Sequence, residues 1–272
     1  LVAVADSPTF SAAAASIGVS TSALSQGLAE LERRLGLRLF ERVGRRQVVR
    51  AESDAVLAYA RRVVADTRDI SRWVHELKGG RVGRLRVGMI DAAAVDHFAS
   101  QLRSFRRAND EVELMLSVAP SAELLDRLVR GELDLAVVVE PDHHDDAFEL
   151  VGLLEEEIVV VPPDGAALGA PDTWGPWVLF PSGSHTRALI ERELRARGAR
   201  VDVVAESHQP EVLREMARLG VGWTALPAVQ AGGRRRRSTP MEVLTRRRLV
   251  VARSRGRSAH GASDRFVALL GG

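Results

Sequence analysis

Cysteine is missing from the 272-residue chain, which excludes disulfide scaffolds, Cys-ligated zinc and thiol nucleophiles. Its absence fits a reducing compartment. Lysine is nearly missing too: of 38 basic side chains only Lys78 is not arginine. Together with abundant alanine, that bias reads as the mark of a GC-rich genome rather than of a function. No apolar run approaches the ~18–20 residues needed to span a bilayer, so no membrane partner is expected. A basic-then-apolar leader is also absent, so export is not expected and the site of action is read as the cytoplasm. The chain opens on Leu1 rather than Met, so a short preceding piece is expected. It contains no G-x-S-x-G elbow, phosphate-binding loop or H-E-x-x-H, and therefore no enzyme, cofactor or metal site is expected.

What is present is a globular composition, 46% hydrophobic and 27% charged, over a length that suits two domains. The net charge of +2 conceals a strong polarity. Residues 81–231 carry a net −10 and residues 232–272 a net +9, which hints at an anionic partner for one end. Residues 1–50 read as short helices with a basic tail, and 52–78 as one long helix without Pro or Gly. Beyond Gly79-Gly80, strand-like Arg84–Met89, Val112–Val118, Leu133–Val139 and Glu157–Val161 alternate with helical Val95–Arg107 and Ala122–Arg130. That order predicts a parallel α/β sheet. Further βα units follow the turn-rich stretch 162–176, one from Trp177–Phe180 into Thr186–Gly198 and one from Val201–Ala205 into Pro210–Leu219.

Ala13, Ala14, Gly18, Val19, Leu24 and Gly27 stand at the spacings of a helix-turn-helix. Small residues let two helices cross closely, Gly18 permits a left-handed turn, and Val19 with Leu24 fills the angle. Ser20 is a good N-cap for the second helix, whose expected core face is Leu24, Leu28, Leu31 and Leu35. Ser20, Thr21, Ser22, Ser25 and Gln26 then lie where a recognition helix meets base edges in the major groove, and Gln26 can pair bidentately with adenine. Phe40 is expected to anchor the following segment, and Gly44 to turn a wing. Arg42, Arg45, Arg46 and Arg50 would grip phosphates, adding salt-dependent affinity with little sequence choice.

Ser7–Ala14, Val19–Ser25, Leu31-Glu32 and Leu35–Arg42 together resemble the winged helix-turn-helix of LysR-type transcriptional regulators. The resemblance implies an α/β chain with an N-terminal winged helix-turn-helix at 1–51, a long linker helix at 52–80 and a two-lobed, periplasmic-binding-protein-like effector domain at 81–272. Lobe I is expected at about 84–160 and 230–272, and lobe II at about 161–229. Thr21 stands where the family often has Gln, Gln26 where Arg is frequent, and Arg50 and Ser53 where Thr and Gly are common. These departures bear on the operator sequence rather than on DNA binding. The implied function is a sequence-specific regulator whose DNA geometry is switched by a small-molecule effector, with RNA polymerase as a further partner. A two-lobed solute-binding protein or an α/β enzyme is the alternative, but neither needs residues 1–50.

In the linker, Val56, Ala60, Val63, Thr67, Ile70, Val74 and Leu77 recur with alternating steps of four and three. That 3.5-residue period predicts a coiled-coil seam between two copies, forming a homodimer or homotetramer on an inverted-repeat operator. Packing of this helix on its own domain is the alternative.

Parallel α/β sheets bind ligands at the carboxyl ends of their strands. Those ends are read at Ile90-Asp91-Ala92, at Ser121, and at Ser182 and Ser184-His185. The resemblance adds Val139-Glu140 and the turn Glu206–Gln209 near the hinge. Asp91 admits two readings, a helix N-cap or a carboxylate that argues against a simple anionic effector and allows a cationic or amine-bearing one. Gly220–Ala225 fits G-x-G-x-x-A but follows a helix, so Gly220 is read as a helix C-cap and not as part of a dinucleotide site. His143–Asp146 reads as a solvated loop rather than a metal site. The Arg cluster at Arg234–Arg237 and Arg246–Arg248 admits a second nucleic-acid site, but part of it reads as a loop, with Arg234–Arg237 contacting acidic neighbours in an oligomer and Leu249–Ala252 returning as a first-lobe strand. A helix over Ser263–Leu270 closes that lobe.

Overall fold

The computed structural model describes residues 1–43, 46–77, 83–141, 147–232, 241–255 and 261–271. Within these, the side chains of Arg42, Arg46, Arg68, Asp69 and residues 71–77 lie outside the description. So do Gly44, Arg45, Gly79-Gly80, His143–Asp146 and Arg234–Arg237, and the expectations placed on them. The chain divides into two compact units, one containing Leu1–Val74 and the other containing His75–Leu128 and Glu132–Gly272.

The first unit opens with three helices, α1 (Val2–Asp6), α2 (Phe10–Ser16) and α3 (Thr21–Leu35). Local chemistry sets their ends. The Thr9 hydroxyl accepts from the Ala12 amide and the Ser20 hydroxyl from the Ala23 amide, so α2 and α3 both start on side-chain caps. Gly18 takes φ +70° between them, a conformation that L side chains rarely adopt. A two-stranded wing follows, β1 (Phe40–Val43) antiparallel to β2 (Arg46–Val49), with Phe40 opposite Val49. Glu32 ties the wing to α3: its Oε1 accepts from the amides of Leu39 (2.8 Å) and Phe40 (3.4 Å). The core is small and comprises Val4, Ala13, Ala14, Leu24, Leu39 and Phe40, with Leu28, Leu31 and Val56 half-buried against it. Val19 and Leu35, both expected inside, are 41% and 48% exposed. The helix α4 (Asp54–Leu77) ends the unit.

In the second unit β3 (Gly83–Met89), β4 (Val112–Val118) and β5 (Leu135–Val139) are parallel, β3 pairing with both others. The connections run through α5 (Ala99–Ala108) and α6 (Ser121–Val129). The expected single helix 95–107 is broken, because a wide turn over Ala93–His97 precedes α5. The strand expected at Glu157–Val161 begins much earlier, as β6 (Phe148–Val161). After β6 come β7 (Trp177–Leu179), α7 (His185–Ala196), β8 (Val203–Glu206), α8 (Pro210–Arg218), β9 (Thr224–Pro227) and α9 (Ala228–Ala231). The long strand β10 (Glu242–Ser254) and helix α10 (Gly261–Gly271) complete the unit. The main sheet has the order β4-β3-β5-β10-β6-β9. β7 pairs in parallel with β8, and a parallel bridge from Trp177 to Trp223 links this pair to the residues entering β9.

Two hydrophobic centres result. Leu85, Val87, Met89, Leu124, Leu128, Phe105 and Phe266 are buried in the first lobe, with the two phenyl rings edge-to-face at 5.0 Å. The second lobe is built on Trp174, Trp177 and Trp223 with Leu179, Ile190, Leu194, Leu213 and Leu226. Ile158–Val160, Ala231 and Leu244 also belong to this second core. β6 and β10 thus contribute residues to both of these buried groups. Arg246–Arg248 lie inside β10, opposite Glu157, Glu156 and Glu155 of β6. As expected, Gly220 follows α8 with φ +79°, and its amide donates to the Ala217 carbonyl.

Candidate functional site

The N-terminal turn of α3 presents Thr21, Ser22, Ser25 and Gln26 to solvent, while Leu24 points into the core. Four polar side chains on one exposed face, rigidly started by a cap, form the arrangement that reads base edges. Ser20 is already committed: besides capping the helix, its hydroxyl lies 3.0 Å from that of Ser22. Arg50 is the one wing arginine whose side chain is described. Its guanidinium is paired with Glu52 at 2.6 Å at the surface. The side chains of Arg42 and Arg46, and the whole of Arg45, lie outside the described residues.

On α4 the expected seam is partly visible. Val56 and Ala60 are half-buried, whereas Val63, Thr67 and Ile70 are exposed. The Thr67 hydroxyl turns back to the Val63 carbonyl at 2.8 Å. Tyr59, overlooked in the heptad, is also exposed, with the Arg62 guanidinium 5.6 Å from its ring centre. Val74 and Leu77 cannot be placed, since their side chains are outside the description.

In the second unit the carboxyl ends of β3, β4, β7 and β8 converge on a cleft of about 310 Å³. Ile90, Asp91, Ala92, Ser121 and Ser184 line it, as expected. Val139, Glu140 and His185 instead line an adjoining cleft of about 380 Å³ with Arg192, Arg246 and Arg248, and Arg247 lines both. Ser182 lines neither of these two. The Ser121 hydroxyl accepts from the Val139 amide at 3.1 Å, so it also ties the β4 and β5 loops together. Asp91 is not an N-cap. Its Oδ2 accepts from the Gln230 side-chain amide at 2.9 Å, and the same nitrogen donates to Asp96 at 3.0 Å. Burial pushes the Asp91 carboxyl above its ordinary range; the nearby Glu211 carboxylate adds to this and Asp96 contributes further.

The residues that sequence reasoning missed come from distant segments. Gln230 on α9 and Arg247 on β10 both line the first cleft. Arg247 is buried between the lobes' crossover strands: Nε donates to Glu156 at 2.6 Å and Nη1 to Thr186 at 2.6 Å. The other oxygen of Glu156 meets His97 Nε2 at 2.8 Å. A polar chain thus runs from the first lobe through both crossover strands to the start of α7. The available signal was the complementary runs Glu155–Glu157 and Arg246–Arg248, which the antiparallel register sets opposite one another.

These features define a class first: a helix-turn-helix reader carried with a long helix and a two-lobed α/β sensor. Comparison with known proteins then supplies the family. The LysR substrate binding domain matches residues 78–272, and the bacterial regulatory helix-turn-helix of the lysR family matches residues 1–52. The chain belongs to the LysR family of transcriptional regulators. A curated relative, the HTH-type transcriptional regulator GbpR of Azospirillum brasilense, is 30% identical over 195 residues, covering 68% of this chain and 57% of the relative. Full-length OxyR from Pseudomonas aeruginosa shares the fold at TM-score 0.62 and 20% identity, over 97% of this chain and 91% of that one. Full-length CbnR in complex with its target DNA does so at TM-score 0.53 and 19% identity, over 99% and 95%. LysR-type regulators bind DNA and are oligomeric. The matched relatives are regulators rather than enzymes. Among the described residues no helix is long and apolar enough to cross a membrane.

Proposed function

We propose that two or four copies of this chain, paired along α4, bind an inverted-repeat operator in the cytoplasm. Thr21, Ser22, Ser25 and Gln26 of each copy read bases in the major groove, while Arg42, Arg45 and Arg46 hold the backbone. A small molecule enters the cleft at Asp91, Ser121 and Ser184 and shifts how the two lobes close. The linked change in the oligomer alters the spacing of the readers on DNA and so the access of RNA polymerase. The observation that carries this reading is the exposed polar face at the capped start of α3. Exposed Val63 and Ile70 on α4 support the pairing, since a lone helix gains nothing by presenting them to water.

The test is electrophoretic retardation of the chain's own upstream DNA across a salt series. Specific retardation whose affinity falls steeply with salt is expected. Gln26→Ala is expected to lose about 1–3 kcal/mol on the operator and little on unrelated DNA. Absence of retardation at low salt overturns the proposal.

A further inference from the structure

Building on the assignment of the 310 Å³ cleft as the effector site, we infer that its effector is an organic cation, a compact amine or guanidine on an apolar body. Ile90, Val118, Pro120 and Phe180 supply apolar wall. The charges in that wall do not balance. Asp91 and Glu211 both line the cleft, and Asp96 stands behind Asp91 on the shared Gln230 amide. Among the described residues, no ion pair is formed by any of these three carboxylates.

The charge of the guanidinium in the wall is already balanced. Arg247 is buried, its Nε and Nη2 both meet the Glu156 carboxylate, and its Nη1 donates to Thr186. Among the described lining residues an anionic ligand would therefore meet two carboxylates and a guanidinium that is already paired, and the uncompensated burial would be costly. A cation beside Asp91 and Glu211 offsets the burial, and the repulsion from Glu211, that disfavour the Asp91 carboxylate.

Two helix N-termini at the cleft, which favour negative charge, are already answered without Asp91 or Glu211: Glu123 occupies the first turn of α6, and the Ser184 side chain caps α7. His208 also lines the cleft and presents the other titratable group there.

The experiment is thermal unfolding of the full chain at pH 8 with agmatine, putrescine or phenethylamine, set against succinate and benzoate. The series is repeated in Asp91→Asn/Glu211→Gln and in Ala119→Trp, which fills the cleft without altering its charge. Ile90→Phe serves the same purpose if Ala119→Trp does not fold.

A saturable rise in Tm with at least one amine is expected, weakened at least tenfold in the charge variant and lost in the filled one. Succinate and benzoate are expected to be silent. If the acids raise Tm and the filled variant abolishes the effect, the cleft stands and the cationic effector is overturned. If amines act equally on wild type and filled variant, the cleft assignment itself fails. Silence of all three amines on the wild type also overturns the inference.

Discussion

The reader and the second lobe of the sensor are held together by different means. The reader's buried core has six hydrophobic residues, two of them alanines. The sensor lobe has three mutually packed indoles, with Trp174 and Trp223 stacked at 6.0 Å and Trp177 donating to the Arg200 carbonyl. At roughly 25 cal/mol per Å² of apolar surface buried, the lobe has far more to draw on. The reader compensates with hydrogen bonds that fix where its elements begin and end. The lesson is that a DNA-binding module of some fifty residues keeps its helix in position chiefly through caps and clamps. The sensor can accommodate charged groups in its interior because its burial is large.

The sharpest way to break the comparison is at the sensor's buried ion pair. Arg247→Met is expected to cost about 3–5 kcal/mol, because Glu156 is left charged and buried. The double variant Arg247→Met/Glu156→Leu is expected to recover most of that loss in chemical denaturation. A smaller effect is expected in the reader. Glu32→Ala strands the amides of Leu39 and Phe40 at a cost of about 1–3 kcal/mol. Its operator affinity is expected to fall with the wing's loosening.

Removing a cap is milder: Ser20→Ala is expected to cost about 1 kcal/mol of reader stability. The smallest expected effect is pH-dependent. Burial, with Glu211 and Asp96 nearby, raises the Asp91 carboxyl in the folded state. Folded protein then holds that proton more tightly than unfolded chain, so stability falls as pH rises from the ordinary carboxylate range through the raised value. Asp91→Asn is expected to be more stable than wild type at neutral pH, with the gap closing as pH drops through the raised value towards about 4. Parallel pH–Tm curves for the two proteins would contradict it.

Much of the reader was legible because its signals are local. A cap, a glycine turn and a stepped leucine face all fall within fifteen residues, and Phe40 and Leu24 are buried where expected. Periodicity names a face but not how far its partner reaches, so Val19 and Leu35 were placed inside and lie outside. In the sensor the strand–helix alternation was readable, and the cleft was found at the strand ends. Its far wall was not. Gln230 lies 139 residues from Asp91 in sequence and Arg247 lies 91 from Glu156, so no local pattern joins them. Val139 and Glu140 fell into a different cleft for the same reason, because pairing of β10 against β5 decides which side those residues face.

Footprinting of the full-length chain on its own upstream region tests the central claim most directly. Protection of a two-fold symmetric site is predicted, retained in Asp91→Asn and lost at matched concentration in a Ser22→Ala/Ser25→Ala/Gln26→Ala variant that unfolds with the wild-type Tm. Protection unchanged by that triple substitution would contradict the assignment of the α3 face as the surface that reads DNA.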